Sequence, residues 1–432
     1  MVFRGALTGC ASSGAQAFVM EFPMALPKVI LQLYPMFPAK GEEGRKARRA
    51  LGTDPDIYHK IVHEWDEVVV EADALGVWGL GTIEHHLHSE GYEVGPNPGV
   101  LNARWSTLVK NANIGALGYV MSTQDPIRVA EETAIIDHMC DGRFYVGFAR
   151  GYQSRWTNIL GQFTDTEATV SDKSAADHQN REIFEERVMQ VIEAWTNESV
   201  SFDGKYYQAP YPKETGVAEY PAWRIGREAG AEGEIDESGA VRRVCVVPKP
   251  YQKPHPPVMI AASKSPESIQ FCARNRFIPT YFMHTLAYVE MANLYVEEGA
   301  KHGINYALGQ NQNIVRWPHI TNTHEEYLRR LRDYDLDIYK NFYGPFFPQF
   351  PQGADESAHI DAMQDSGIFI GGTLDESIRQ WREIYTQAPA EYITLIWHWA
   401  QCPKEVMMEE LQLFMEKVLP ELEIPEFAAA AE

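Results

Sequence analysis

Between Gly76 and Tyr152 the chain repeats one unit: a short apolar run, a polar loop, then an amphipathic stretch. The first run breaks into Glu84-His85-His86-Leu87-His88, the second covers Ile114–Met121, and the third closes on Arg150-Gly151-Tyr152. A strand with one wet face alternates apolar and polar residues. These runs are instead apolar on both faces, as parallel strands are when helices cover each side. Parallel strands need long crossovers, so the spacing commits the chain to strand–helix repeats about a parallel sheet. Polar groups gather just past the strands' carboxyl ends, at His85, His86, Ser122 and Arg150. Barrels and open α/β sheets carry their chemistry at that end.

The repeat continues in both directions. Lys28–Tyr34 reads as the first strand and Ile57–Leu75 as the first helix, stopped by Gly76. A helix is expected around Ala103–Ala112, another over Arg181–Trp195, and a hairpin over Ser201–Tyr207 turning at Asp203-Gly204. Val258–Ala262, Ile278–Phe282, Asn313–Pro318 and Tyr392–Trp399 bring the strands to eight. Helices near Ala287–His302, Glu325–Tyr343 and Met407–Leu419, and one opened by Gly371 to Glu376, fill the intervals. The expectation is an α/β (β/α)8 barrel over residues 27–420, preceded by a loose arm (1–26) and followed by a frayed Ala-rich tail (421–432). Residues 210–257 are rich in Pro and Gly, with strand-like pieces at Trp223–Ile225 and Val241–Val247. They are too long for a plain connection and read as an insertion before strand five that covers the active-site mouth.

A formal net charge of −22 argues against nucleic acid, whose phosphates must be neutralised by Lys and Arg. The five cysteines have no paired spacing, which suits reduced thiols and a cytoplasmic setting. No apolar run has transmembrane length, so no membrane partner is expected. Leu7-Thr-Gly-Cys10 has the form of a lipoprotein box but lacks the apolar core that must precede one.

Histidine exchanges a proton near neutrality, and His85 at a strand's end can do so toward a bound molecule. His86 is expected to pack behind the strand. Arg150 must pair or leave the core, and either a phosphate or a neighbouring acid would satisfy it. Arg181, at a helix start, is either a second phosphate contact or a solvated residue. The turn Ala262-Ser263-Lys264-Ser265 before Pro266 offers free backbone N–H groups to an anion, or an ordinary N-cap. Phe346, Phe347, Phe350, Trp397 and Trp399 line a pocket or pack in the core. His86-x-His88 has the spacing of a metal pair, with His284 and His319 as further ligands, so a metal-dependent hydrolase is an alternative.

Glu84-His85-His86, Asn97-Pro98, Asn113-Ile114-Gly115, Pro126-x-Arg128-x-Ala130-Glu131, Asp137, Gly142-Arg143-Phe144 and Arg150-Gly151 stand in one order. In that order they resemble the bacterial luciferase family, flavin-dependent monooxygenases built on a (β/α)8 barrel. Weaker likeness runs from about Lys28 to Leu419. The resemblance implies reduced FMN, supplied by a separate flavin reductase because no Gly-x-Gly-x-x-Gly follows a strand. It further implies molecular oxygen, a small organic substrate and a homodimer. It makes His85 the catalytic histidine, implicated in base chemistry between flavin, oxygen and substrate. It makes Leu117-Gly118 a non-prolyl cis peptide beneath the flavin ring. It gives the flavin phosphate to Arg150, Gly151 and Tyr152, to Arg181, and to the turn at Ala262 and Ser263. The family often has an acid where Ala262 stands, so only the backbone part of that turn carries over. A deazaflavin oxidoreductase on the same barrel, and a flavin-binding protein without turnover, are the related alternatives.

Overall fold

The computed structural model describes residues 24–427 apart from 264, 348–350, 352 and 354. Nine parallel strands run through it: β1 (Lys28–Leu33), β2 (Gly79–Thr82), β3 (Asn113–Val120), β4 (Phe144–Ala149), β5 (Val258–Ala262), β6 (Ile278–Tyr281), β7 (Asn313–Thr321), β8 (Phe369–Thr373) and β9 (Tyr392–Trp397). Eight of them close a ring in the order β1-β2-β3-β4-β5-β6-β7-β9, and β9 returns to β1. β8 pairs only with the far half of β7, Trp317–Thr321, while Asn313–Arg316 serve the ring. The (β/α)8 barrel is as expected. The ninth strand is not, because Gly371-Gly372 inside β8 reads as a turn and the strand side chains that would reveal it are few.

The helices that matter below are α1 (Pro55–Ala74), α2 (Pro98–Trp105), α3 (Pro126–Met139), α4 (Ser154–Leu160), α5 (Ala175–Thr196), α6 (Pro266–Asn275), α7 (Thr285–Lys301), α8 (324–346), α9 (Leu374–Gln387) and α10 (Lys404–Leu413). Four of them start the same way. Asp54, Asn97, Asp125 and Ser265 each accept backbone N–H bonds at the N-cap, and proline stands next at a position that needs no donor. This signature fixes where the chain leaves a mouth loop for a helix. α8 carries two π-helical segments, Leu331–Asp335 and Tyr339–Tyr343.

The barrel interior is filled, not hollow. Ile30, Leu117, Tyr145, Met259, Ile278 and Tyr392 form an inner cluster. Beside it Asn313 donates to Thr280 Oγ1 at 3.2 Å and accepts from Thr394 Oγ1 at 3.0 Å, so these three polar side chains satisfy one another. A larger apolar layer lies between strands and helices and includes Trp65, Trp105, Phe184, Trp381, Trp397 and Trp399. Trp397 and Trp399 therefore belong to the core. Alternation along β9 sends both outward, and His398 between them to the mouth.

Several boundaries move. The helix expected at Ala103–Ala112 is α2, earlier by several residues because Asn97-Pro98 starts it. α5 begins at Ala175, which places Arg181 in its second turn. The hairpin pairs Phe202–Asp203 with Gln208–Ala209, so Asp203 is strand and the turn is longer. Trp223–Ile225 lies in a short helix, Trp223–Ala229, and Val241 and Val244 form only isolated bridges. The end of the chain is docked through its last described residues: Met24–Ala25 pairs with Ile424–Pro425, and Leu422 and Ile424 are buried. Residues 1–23 of the expected arm and 428–432 of the tail lie outside the described residues.

Residues 249–252 of the 210–257 segment hydrogen-bond where strands begin and helices finish. Lys249 Nζ donates to Ala194 O (2.7 Å) and Asn197 O (2.6 Å) at the end of α5. Gln252 Nε2 donates to Asp137 Oδ1 and to Phe144 O, both at 2.8 Å. These contacts do not match the expected cover over the mouth, which is at the other end of the strands.

Candidate active site

The loop after β2 folds back on itself. His85 N donates to Gly95 O at 3.1 Å, and Gly91 takes a left-handed φ of +85°, where a Cβ would meet Phe37. The return brings Glu93 against His85, with Nδ1 and Oε2 2.9 Å apart. The two atoms are close enough for an ion pair but off the line of a good hydrogen bond, and both are buried. Around His85 stand the rings of Tyr34 (6.3 Å), His88 (5.5 Å), Tyr152 (6.3 Å) and Trp156 (6.2 Å). Phe346 and Phe347 pack on Tyr152 at 5.2 and 5.8 Å, so these two do line the mouth. Phe350 lies outside the described residues.

His86 points elsewhere. Its Nε2 meets Glu84 Oε1 at 3.0 Å and its ring rests on Trp156 at 5.1 Å. Glu84 in turn accepts from Val120 N at 2.7 Å, so the pair ties the ends of β2 and β3 together. His88 Nδ1 contacts Tyr92 O at 2.6 Å and Nε2 contacts Gln153 Oε1 at 2.5 Å. Burial, then the neighbouring His85, lowers its proton affinity. Metal geometry among the described residues brings His85, His88 and Glu93 within 4.8 Å of one another, not His86 and His88. Both ring nitrogens of His88 already have partners, so no metal site is assigned to the trio. His284 caps α7, and His319 lies between two carboxylates.

Glu93 is the first member of a longer chain of contacts that sequence reading missed. Tyr343 Oη donates to Glu93 Oε1 at 2.5 Å and lies 3.1 Å from His398 Nε2. His398 Nδ1 is 2.6 Å from Asp335 Oδ1, and Asp335 Oδ2 is 2.8 Å from His319 Nε2. His319 Nδ1 reaches Glu410 Oε2 at 2.9 Å, and Glu410 also accepts from Trp397 Nε1 at 2.6 Å and from Arg330. Burial opposes a charged His319, but Glu410 and Asp335 outweigh it and raise its value to about 10. Burial likewise works against ionising Glu93 and Asp335, and their histidine neighbours overcome it, so both fall below the ordinary carboxylate value. Asp335 and Tyr343 end the two π segments of α8. A π turn takes up an extra residue, which returns residues eight apart to one face. The one readable sign was His398, an inward position between two outward tryptophans.

The opposite side of the mouth holds the arginines. Arg150, just past β4, donates to Asn180 Oδ1 at 3.0 Å and to Asp177 O at 3.1 Å, and pairs with the Asp177 carboxylate. The ion-pair alternative is the one drawn here. Arg181 Nη1 donates to Ser268 Oγ at 3.3 Å, while its nearest carboxylates, Glu267 and Asp177, are 3.8 and 4.0 Å away. It thus stands at the amino end of α6, where Ser265 is the N-cap and Ser263 is exposed. Ala262 is buried, and Lys264 lies outside the described residues. Gly151 turns the chain with φ +80°, and a Cβ there would strike Val120 and Thr157. The Leu117–Gly118 bond is cis, and the β3–β4 ladder shifts register between Ala116 and Tyr119. Among the described residues no helix is long and apolar enough to cross a membrane.

Comparison with known proteins places this architecture. Residues 50–368 match the luciferase-like monooxygenase family. The alkanal monooxygenase alpha chain of Photobacterium leiognathi is 21% identical over 391 residues, covering 85% of this chain and 96% of that protein. The 3,6-diketocamphane 1,6-monooxygenase of Pseudomonas putida is 23% identical over 145 residues, 34% of this chain and 38% of the relative. The oxygenase component of a flavin-dependent trigonelline monooxygenase from Acinetobacter baylyi is 24% identical over 223 residues, 52% and 49% of the two chains. The matches to these last two span only a third to a half of the relatives' length. In fold, the oxygenating constituent of 3,6-diketocamphane monooxygenase, solved with FMN, superposes with a TM-score of 0.67 at 16% identity over 93% of this chain and all of that one. An F420-dependent secondary alcohol dehydrogenase gives 0.60 at 11% identity, over 92% and 99%. With a family match across residues 50–368, the chain belongs to the luciferase-like monooxygenases.

Proposed function

We propose that the protein is the oxygenase half of a two-component flavin monooxygenase. It would take reduced FMN from a separate reductase and use molecular oxygen on a small organic substrate. The observation that carries this is His85 at the carboxyl end of β2, set against buried Glu93 within a ring of aromatic side chains. The residues present fit a flavin in two respects. Gln153 Nε2 and Thr157 Oγ1 are buried at the mouth without a hydrogen-bond partner among the described residues. Arg181, Arg150 and the amino end of α6 supply cationic and N–H donors suited to a phosphate. When bound, reduced FMN supplies the electrons that activate oxygen.

The chain's own part is proton handling and exclusion of water. His85 gives or takes a proton at the substrate, and the aromatic wall keeps the site dry, where charges act most strongly. Leu117 and Gly118 would lie under the ring, and Gly151 and Tyr152 beside its phosphate end. Relatives in fold include F420-dependent enzymes, which makes deazaflavin the competing cofactor. The test is equilibrium binding of reduced FMN, riboflavin and F420 in parallel, followed by oxygen uptake across a panel of ketones, aldehydes and N-heteroaromatic acids. Tight binding of F420 with none of FMN overturns the reading.

A further inference from the structure

The contacts running from Glu93 to Glu410 can be counted in protons, and the count does not have a single solution. His319 faces a carboxylate at each ring nitrogen, so it donates from both and is an imidazolium. Asp335 accepts from His319 on one oxygen and from His398 Nδ1 on the other, so His398 carries a proton on Nδ1. Tyr343 then has one proton and two neighbours, Glu93 Oε1 at 2.5 Å and His398 Nε2 at 3.1 Å.

Two arrangements satisfy every contact. In one, Tyr343 donates to the Glu93 carboxylate, and a doubly protonated His398 donates from Nε2 to the Tyr343 oxygen. In the other, a protonated Glu93 donates to that oxygen, and Tyr343 donates to a neutral His398. They hold the same protons and differ by a paired shift. The His398 Nε2–H bond breaks as a Tyr343 O–H bond forms, and the original Tyr343 O–H breaks as a Glu93 O–H forms.

We propose that His398, Tyr343 and Glu93 are a proton wire that sets the charge of Glu93 beside His85. A carboxylate at Glu93 holds a proton on His85, and a neutral Glu93 releases that hold, with no water required. Glu93 and His398 are fully buried and Asp335 is 2% exposed, so of the path's members only half-buried Tyr343 is open to solvent. The groups facing Glu93 are His85, His88, Tyr343, Tyr34 and Tyr152. Those facing His398 are Asp335, Tyr343 and the Trp317 ring, with His319, Glu410 and Arg330 behind Asp335. Fixed cationic His319 keeps Asp335 ionised, so the mobile proton stays on the His398–Glu93 side. Tyr343 and His398 are positioning residues, acting on chemistry only through Glu93 and His85. The functional value of the wire rests on the reading of His85 given above.

The test uses the cofactor-free full chain labelled with 15N-histidine. Ring-nitrogen shifts of His85 and His398, assigned with H85Q and H398Q, are followed from about pH 5 to 9, the range in which imidazole exchanges its proton. The wild type is expected to show one titration step shared by both rings. Y343F keeps the ring in place and removes the hydroxyl, and should split that step into two. E93Q, isosteric with the native residue, should do the same and serves if Y343F does not fold. Independent titration in the wild type, or a shared step surviving in either variant, overturns the wire. Turnover with reduced FMN is scored separately: a shared step in a protein that takes up no oxygen leaves the wire standing and removes the proposed function.

Discussion

The two sides of the barrel mouth solve the problem of buried charge differently. On the β7–β9 side, Asp335 and Glu410 flank cationic His319, His398 bonds to Asp335, and each is held by groups within the fold. On the β4–β5 side, Arg150 is paired with Asp177, but Arg181 meets its carboxylates only at 3.8 and 4.0 Å. The first side is internally closed, so breaking it strands an ion in the core. The second is looser, so an anionic ligand can replace part of what the arginines hold. Charge that is fully spent on the fold stabilises and positions, and charge that is partly spent is available for binding.

The largest expected effect tests what the closed side serves. H85A should lower turnover about 10²–10⁴-fold, the usual worth of a positioned acid–base group, with FMN affinity almost unchanged because the phosphate is held across the mouth. Oxygenation at the wild-type rate in single-turnover experiments with chemically reduced FMN would remove His85 from the mechanism. Next, H319Q should cost on the order of 3–5 kcal/mol in urea unfolding, since it takes the cation from buried Asp335 and leaves Glu410 with Arg330 alone. A loss under about 1 kcal/mol would mean that the closed network is solvated after all.

The same residue predicts a pH dependence. Its folded value, about 10, lies above the ordinary histidine value of about 6.5. The stabilisation it confers is therefore complete below about pH 6.5 and lost as pH rises through about 10, by on the order of a few kcal/mol. Urea midpoints that fall between pH 6 and 10 in the wild type should stay level across that change in H319Q. A wild-type curve as flat as the variant's would contradict the assignment.

On the looser side, R150A should weaken FMN binding by about 1.5–3 kcal/mol, the scale of a charge-assisted hydrogen bond. Equal wild-type affinity for FMN and riboflavin would mean that the arginines serve the fold alone. The smallest effect is expected from the 210–257 segment, tied to the end of the barrel away from His85. A protease nick at the exposed Ala229-Gly230 should leave flavin affinity as it was. A marked loss of affinity after cleavage would restore that segment to the mouth.

Much of the barrel was legible because local rules write it directly. Runs apolar on both faces marked β1 to β7 and β9, and Ser265-Pro266 marked the start of α6, whereas the same pair at Asn97-Pro98 was read as loop and α2 was expected several residues late. β8 was not legible, since Gly371-Gly372 carries no strand signal and only the far half of β7 gives it a partner. His85 could be named because a histidine at a strand end is a local fact. Its partner Glu93 lies only eight residues further, but nothing local says that the loop doubles back.

What the sequence alone determined is the periodicity of the strands, the caps and the position of His85, each set by interactions within a few residues. Only the tertiary structure decided that Glu93, Tyr343, His398, Asp335, His319 and Glu410 form one line, because they come from β2's loop, α8, the residue after β9, β7 and α10. It also decided that Arg150 spends its charge on Asp177. Long-range pairing of charges depends on how separate elements pack, and no spacing along the chain encodes that distance.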